Sequence, residues 1–253
     1  MSLKGAYSET IHALGMADHL AAVDVTSTYP EELGDLPRVG HIRSVSAEGI
    51  LAMEPDLVIL DPREMVPETL AQLEATGVPL LPVVQEFSME GTRNMVTSIA
   101  DALGADPART DSVLNGLSLS DHDLTIQEPR PSVLFIYARG AGGVTVAGRG
   151  TQMHAIIELA GGRNAMAELE GFKPLTPESL VAADPDVILL FDSGLDALQG
   201  AEGVLAMPGM AQTEAGRHGR IIAMDGHYLA GFGPRLGHAV RDLNQALQEQ
   251  LYP

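Results

Sequence analysis

The chain has 253 residues, 34 acids against 15 bases for a net charge of −19, 45% hydrophobic residues and no cysteine. That length and apolar content allow two α/β lobes, each with its own core. The acidity excludes nucleic acid and anionic membrane surfaces, which demand a basic face, and the missing cysteines exclude disulfides, thiolate zinc sites and cysteine nucleophiles.

In chain order, Met1-Ser2-Leu3 reads as a leader, so an export signal and a first strand are expected upstream. No apolar run is long enough to span a bilayer. Ser8 is expected to cap a first helix that ends at Gly15, and a strand is expected near Leu20–Val25. Residues 26–43, TSTYPEELGDLPRVGHIR, form a turn-rich loop of the kind that carries function. A helix over Val66–Thr76, a strand over Val78–Val83 and an amphipathic helix over 89–104 follow. Residues 105–128 are polar and helix-compatible, and close in Glu128-Pro129-Arg130-Pro131. They are read as one long helix connecting an N-terminal lobe (1–104) to a C-terminal lobe (129–253). The second lobe is expected to open on a strand, Ser132–Tyr137, then a glycine-rich loop at 139–150 and a helix over Thr151–Ala160. A helix near Val204–Ala215, a strand Arg220–Met224, the loop 226–235 and a last helix from Leu236 complete the chain.

Within this order one phrase occurs twice. Residues 46–61 read SAEGILAMEPDLVILD and residues 176–191 read TPESLVAADPDVILLF. Glu48 aligns with Glu178, Pro55 with Pro185 and Asp56 with Asp186. Each copy is a short capped helix, a Pro-Asp turn and a buried strand. Duplication about half a chain apart means two similar lobes, and strand–helix alternation means largely parallel sheets. The expected fold is therefore α/β, with two Rossmann-like lobes joined by a single helix and a ligand cleft between them.

With these residues in hand, the chain resembles the solute-binding proteins of bacterial ABC importers. Within them it is similar to the helix-linked group that serves vitamin B12, siderophores and haem, and most of all to periplasmic haem-binding proteins. TSTYP (26–30), VGHIRSVSAEGILAMEPDLVI (39–59), VAGRGTQMHAIIELAGGRNA (146–165) and GFGPR (231–235) carry the resemblance. It implies a protein that captures ferric haem, hands it to a permease dimer, acts in the periplasm as a monomer and catalyses no reaction.

Tyr29, in TSTYP, is the expected iron ligand, because a phenolate is a hard donor suited to ferric haem. Read without the family pattern, it is an ordinary loop tyrosine before a proline. The resemblance implies that Arg235, in GFGPR, reaches this tyrosine or the haem edge. His154 is the candidate second ligand from the other lobe, with Tyr228 as its competitor and His227 as a weaker option. Arg43 and Arg149 flank the expected cleft and could pair with propionates, or could equally balance local acids. The resemblance gives Glu48 and Glu178 the role of docking on the permease. Each is also a first-turn acid that suits a helix dipole. The alternatives are a ferric siderophore or corrinoid carrier, which zero Trp and 4% aromatics disfavour for the corrinoid, and a two-lobed α/β metallocofactor enzyme. Against the enzyme stand the absence of GxSxG, HExxH and P-loop motifs and the scatter of His12, His19, His41, His122, His218 and His238.

Overall fold

The computed structural model describes residues 1–119, 124–125, 128–139 and 142–252, which fall into two compact α/β units. The first comprises Met1–Ser118 and Gly231–Leu236, the second Leu119–Ala230 and Gly237–Pro253. The segment 231–236, which the sequence assigns to the second lobe, thus belongs to the first unit.

The first unit contains α1 (Gly5–Ala13), α2 (Ala47–Leu51), β1 (Val58–Leu60), α3 (Pro67–Thr76), β2 (Leu80–Pro82), α4 (Met89–Leu103) and α5 (Pro107–Gly116). Its sheet is parallel but thin. β1 pairs with β2, Ser2 bridges both Ile59 and Val23, and Val23 bridges Arg38. Met1–Leu3, read from the sequence as a leader, are thus packed into this unit. Met1 is 7% exposed, Ser2 and Leu3 are fully buried, and Ser2 lies between Val23 and Ile59 as a parallel bridge. The Met1–Leu3 segment enters α1 directly, so α1 starts three residues earlier than expected, and Ser8 lies buried inside it rather than capping it. One face of the sheet carries Leu3, Ala22, Ile42, Ile50, Val58, Leu60 and Leu73. On α1 and α4, which pack together, Tyr7, Ile11, Met95, Val96 and Ile99 are buried.

The helix expected over 105–128 is shorter. α5 stops at Gly116, residues 124–125 are not helical, and 120–123 and 126–127, His122 among them, lie outside the described residues.

The second unit contains β3 (Ser132–Arg139), β4 (Gly142–Ala147), α6 (Gln152–Leu159), β5 (Arg163–Asn164), β6 (Phe172–Pro174), α7 (Pro177–Ala183), β7 (Val187–Phe191), α8 (Asp192–Ala197), α9 (Gly200–Leu205), α10 (Glu214–His218), β8 (Ile221–Met224), α11 (Gly226–Ala230) and α12 (Leu236–Leu251). β3, β7 and β8 are parallel, while β4 and β6 extend the sheet antiparallel. The glycine-rich segment read as a loop is therefore a strand, because Val144-Thr145-Val146 supplies β-branched side chains that outweigh the flanking glycines. Residues 204–215 are not one helix either. Gly209, at φ 90°, breaks the chain between α9 and a 3₁₀ turn.

The duplicated phrase folds alike in both units. Ser46 Oγ accepts the Gly49 N–H at 3.1 Å and Thr176 Oγ1 accepts the Ser179 N–H at 3.2 Å, so α2 and α7 begin where the capping residues predict. Both helices give way to a non-glycine residue in the left-handed region, Glu54 at φ 47° and Asp184 at φ 38°, each just before the aligned proline. β1 and β7 then run as buried strands between two parallel neighbours.

Candidate functional site

In the first unit, the turns that follow Ser2, Val23, β1 and β2 leave the same edge of the parallel sheet, the edge where α/β sheets bind ligands. Tyr29 stands in the turn after Val23. A buried polar knot holds that turn. Asp24, 1% exposed, accepts Thr26 Oγ1 and Ser27 Oγ, Ser27 Oγ meets Ser8 Oγ at 2.7 Å, and Arg38 donates to the carbonyls of Asp24 and Ser27. Gly5 donates to Thr26 Oγ1 at 2.8 Å, and a Cβ on Gly5 would sit 2.4 Å from the Thr26 carbonyl oxygen. Only glycine permits this approach. Beyond the knot Tyr29 is 46% exposed.

Arg235 reaches Tyr29 within the same unit. Its guanidinium carbon lies 3.5 Å from the centre of the ring, a face-on cation–π stack. The segment that carries it is anchored by Phe232, which is 1% exposed, adopts φ 49° and meets Phe87 edge-on at 5.3 Å. Gln85 Nε2 donates to the carbonyls of Gly231 and Phe232, and Thr92 Oγ1 donates to the latter. Arg235 itself is held by Glu9, with Nε donating to Oε1 at 2.9 Å and Nη2 to Oε2 at 3.0 Å. This fork is the strong form of the arginine–carboxylate pair.

Glu9 is 8% exposed, in a helix buried from Ala6 to Ile11. A signal was available: the helix has no polar face to put a charge on, so a charge there needs a buried partner.

On the same edge Lys4 pairs with Glu64, and Arg43 Nη2 lies 3.4 Å from Glu64 Oε2. Burial pushes the Glu64 carboxyl up, but Lys4 and Arg43 outweigh it and hold the group below the usual carboxylate range. Arg43 therefore stands beside an acid while its side chain stays 70% exposed.

In the second unit, Thr151 caps α6 and places His154 in its first turn. His154 Nδ1 lies 3.3 Å from Asn164 Nδ2. The orientation of that amide follows from its other bonds, since Oδ1 accepts the Met166 N–H and Nδ2 donates to the Ala147 carbonyl. With that amide as donor, Nδ1 is the acceptor, so its lone pair is engaged by Asn164. Tyr228 donates its hydroxyl to Asp242 Oδ2 at 2.6 Å. Arg149 is exposed, 4.0 Å from Glu170. His227 is exposed on α11. Among the described residues no group of three or more His, Asp or Glu could hold a metal ion. An aromatic cluster at the carboxyl ends of β3 and β7 was not foreseen. Tyr137 meets Phe191 at 5.9 Å and Phe172 at 6.1 Å, and Arg139 lies over the Tyr137 ring at 5.1 Å.

Glu48 and Glu178 occupy the matched first-turn positions of α2 and α7, and both are exposed.

Each of the two α/β units gathers aromatic and basic side chains where its parallel strands end, the make-up of a ligand-binding protein. The chain belongs to the periplasmic binding protein family, whose model matches residues 1–228. It is similar to the periplasmic heme-binding protein RhuT from Roseiflexus sp. RS-1 in apo form, at 41% identity and a TM-score of 0.89, covering 98% of this chain and 97% of that one. It is also similar to the periplasmic heme-binding protein BhuT in complex with two hemes, at 36% identity and a TM-score of 0.90, covering 99% of this chain and 97% of that one. A vitamin B12-binding protein of Vibrio cholerae is 24% identical over 96% of this chain and 86% of its own length.

Proposed function

We propose that this chain is the haem-binding subunit of an ABC importer, which takes up ferric haem in the periplasm and delivers it to a permease dimer without catalysing a reaction. The observation that carries this reading is Tyr29, 46% exposed beyond a buried knot, with Arg235 stacked on the face of its ring. The phenolate oxygen would ligate the iron, with the guanidinium lying on the ring and its charge paired with Glu9. Similarity over nearly the whole chain to two heme-binding proteins supports the ligand class. Arg43 in the first unit and Arg139 and Arg149 in the second are proposed as candidate partners for propionates, since a guanidinium matches a carboxylate edge.

A corrinoid is the second reading, favoured by the vitamin B12-binding relative. Titration of the whole protein with haemin and, separately, with cyanocobalamin decides between them. Haemin is expected to give a shifted Soret band and a phenolate-to-iron charge-transfer band, with cobalamin inert. Cobalamin binding together with a featureless haemin titration would replace the first reading by the second.

Glu48 and Glu178 are proposed to dock the two units on basic pockets of the permease, because exposed charges set orientation and on-rate. Alanine at both positions is expected to leave the haemin titration unchanged and to lower haem transport in permease vesicles by about tenfold, the effect of about 1.4 kcal/mol in docking. A double variant that binds haem less well places these acids in the ligand site or the fold instead.

A further inference from the structure

Arg235 could engage Tyr29 in two ways. Its N–H edge could donate to the phenolate oxygen, or its π face could lie on the ring and leave the oxygen open. The structure shows the second, at 3.5 Å. Glu9 takes the Nε and Nη2 donors in a two-pronged bond and so holds the plane of the guanidinium. Glu9 is itself immobile, 8% exposed in α1 among buried neighbours. α1 also touches the Tyr29 turn directly, through Ser8 to Ser27 and Gly5 to Thr26. One helix therefore sets both the loop and the cation. The carboxylate also cancels the guanidinium's formal charge, so the pair presents an oriented π face rather than a free cation.

We propose that Glu9 is a positioning residue for the haem-ligating tyrosine: by holding Arg235 face-on and charge-balanced, it keeps the guanidinium donors off the Tyr29 oxygen and leaves that oxygen a strong anionic donor to iron. This rests on the reading of Tyr29 as iron ligand.

The test is Glu9→Gln, nearly the same shape with one charge removed, in the full chain loaded with haemin. The unbalanced, less tethered guanidinium then withdraws electron density from the phenolate. The phenolate-to-iron charge-transfer band is expected to move to higher energy and the iron(III)/iron(II) midpoint to rise. Glu9→Asp, which keeps the charge, is expected to restore most of both. In an Arg235→Gln background, Glu9→Gln is expected to change neither, because Glu9 acts through Arg235. A Glu9→Gln protein that binds haemin with the wild-type band and midpoint overturns the proposal even if its melting temperature falls, since that pattern marks a structural ion pair only. Tyr29→Phe is measured alongside. If it keeps the wild-type spectrum the ligand assignment itself has failed, an outcome separate from failure at Glu9.

Discussion

Tyr29→Phe is expected to remove the charge-transfer band of the haem complex and to weaken haem binding on the order of 100-fold or more, about 2.8 kcal/mol. Loss of a residue that merely orients a metal ligand costs 10–100-fold, and here the ligand atom itself is gone. The substitution is clean because the aromatic ring remains. Arg235 keeps its stack at 3.5 Å, and the knot of Asp24, Ser27 and Ser8 does not involve the hydroxyl. Circular dichroism and melting temperature should therefore match wild type while the absorption spectrum does not. His154→Ala is the control from the second unit. With its Nδ1 lone pair engaged by Asn164, His154 is expected not to ligate the iron, so the band should persist. An intact band in Tyr29→Phe and a lost one in His154→Ala would exchange the two roles.

Asp61→Ala is expected to destabilise the first unit by about 1–3 kcal/mol, the usual cost of leaving a buried donor unsatisfied, because the buried Gln85 N–H loses its acceptor while Arg63, 55% exposed, can turn to water. Asp61 is fully buried and accepts from the Arg63 backbone N–H, from Arg63 Nε and Nη2, and from the Gln85 N–H. Gln85 in turn holds the carbonyls of Gly231 and Phe232, so the damage should spread to the segment that carries Arg235. Burial pushes the Asp61 carboxyl up, but the Arg63 and Gln85 donors outweigh it and hold it below its ordinary value. A carboxyl lowered on folding stabilises the native state at pH above its unfolded value, near ~3.9, and loses that contribution as pH falls through the folded value. The wild-type urea midpoint is expected to drop as pH falls below about 4, and Asp61→Asn should show a lower midpoint at neutral pH and a flatter fall. Equal slopes for the two proteins would remove Asp61 from the acid sensitivity of the fold.

What the chain says locally could be read without coordinates. The caps Ser46 and Thr176, the terminators Gly77 and Gly104, and the strands β1, β3, β7 and β8 follow from contacts within a few residues. The same holds for the duplicated phrase, whose two copies share even the left-handed residue before proline. Local chemistry misled where a neighbour distant in sequence supplied the stabilisation. Met1–Leu3 is too short to read as part of a sheet, and Ser2 joins it only because Val23 and Ile59 offer backbone partners. Gly142–Ala147 pairs with β3 and β6 and is thereby a strand.

The candidate site divides the same way. Tyr29, Arg235, Glu48 and Glu178 stand in short motifs and were named from them. Glu9 stands in no motif. It meets Arg235 across 226 residues of chain, and no periodicity or spacing carries information over that distance. The pairing of a buried carboxylate with the cation on Tyr29 exists only once α1 and the 231–236 segment pack into one unit, because only there does the cost of burying either charge alone force them together.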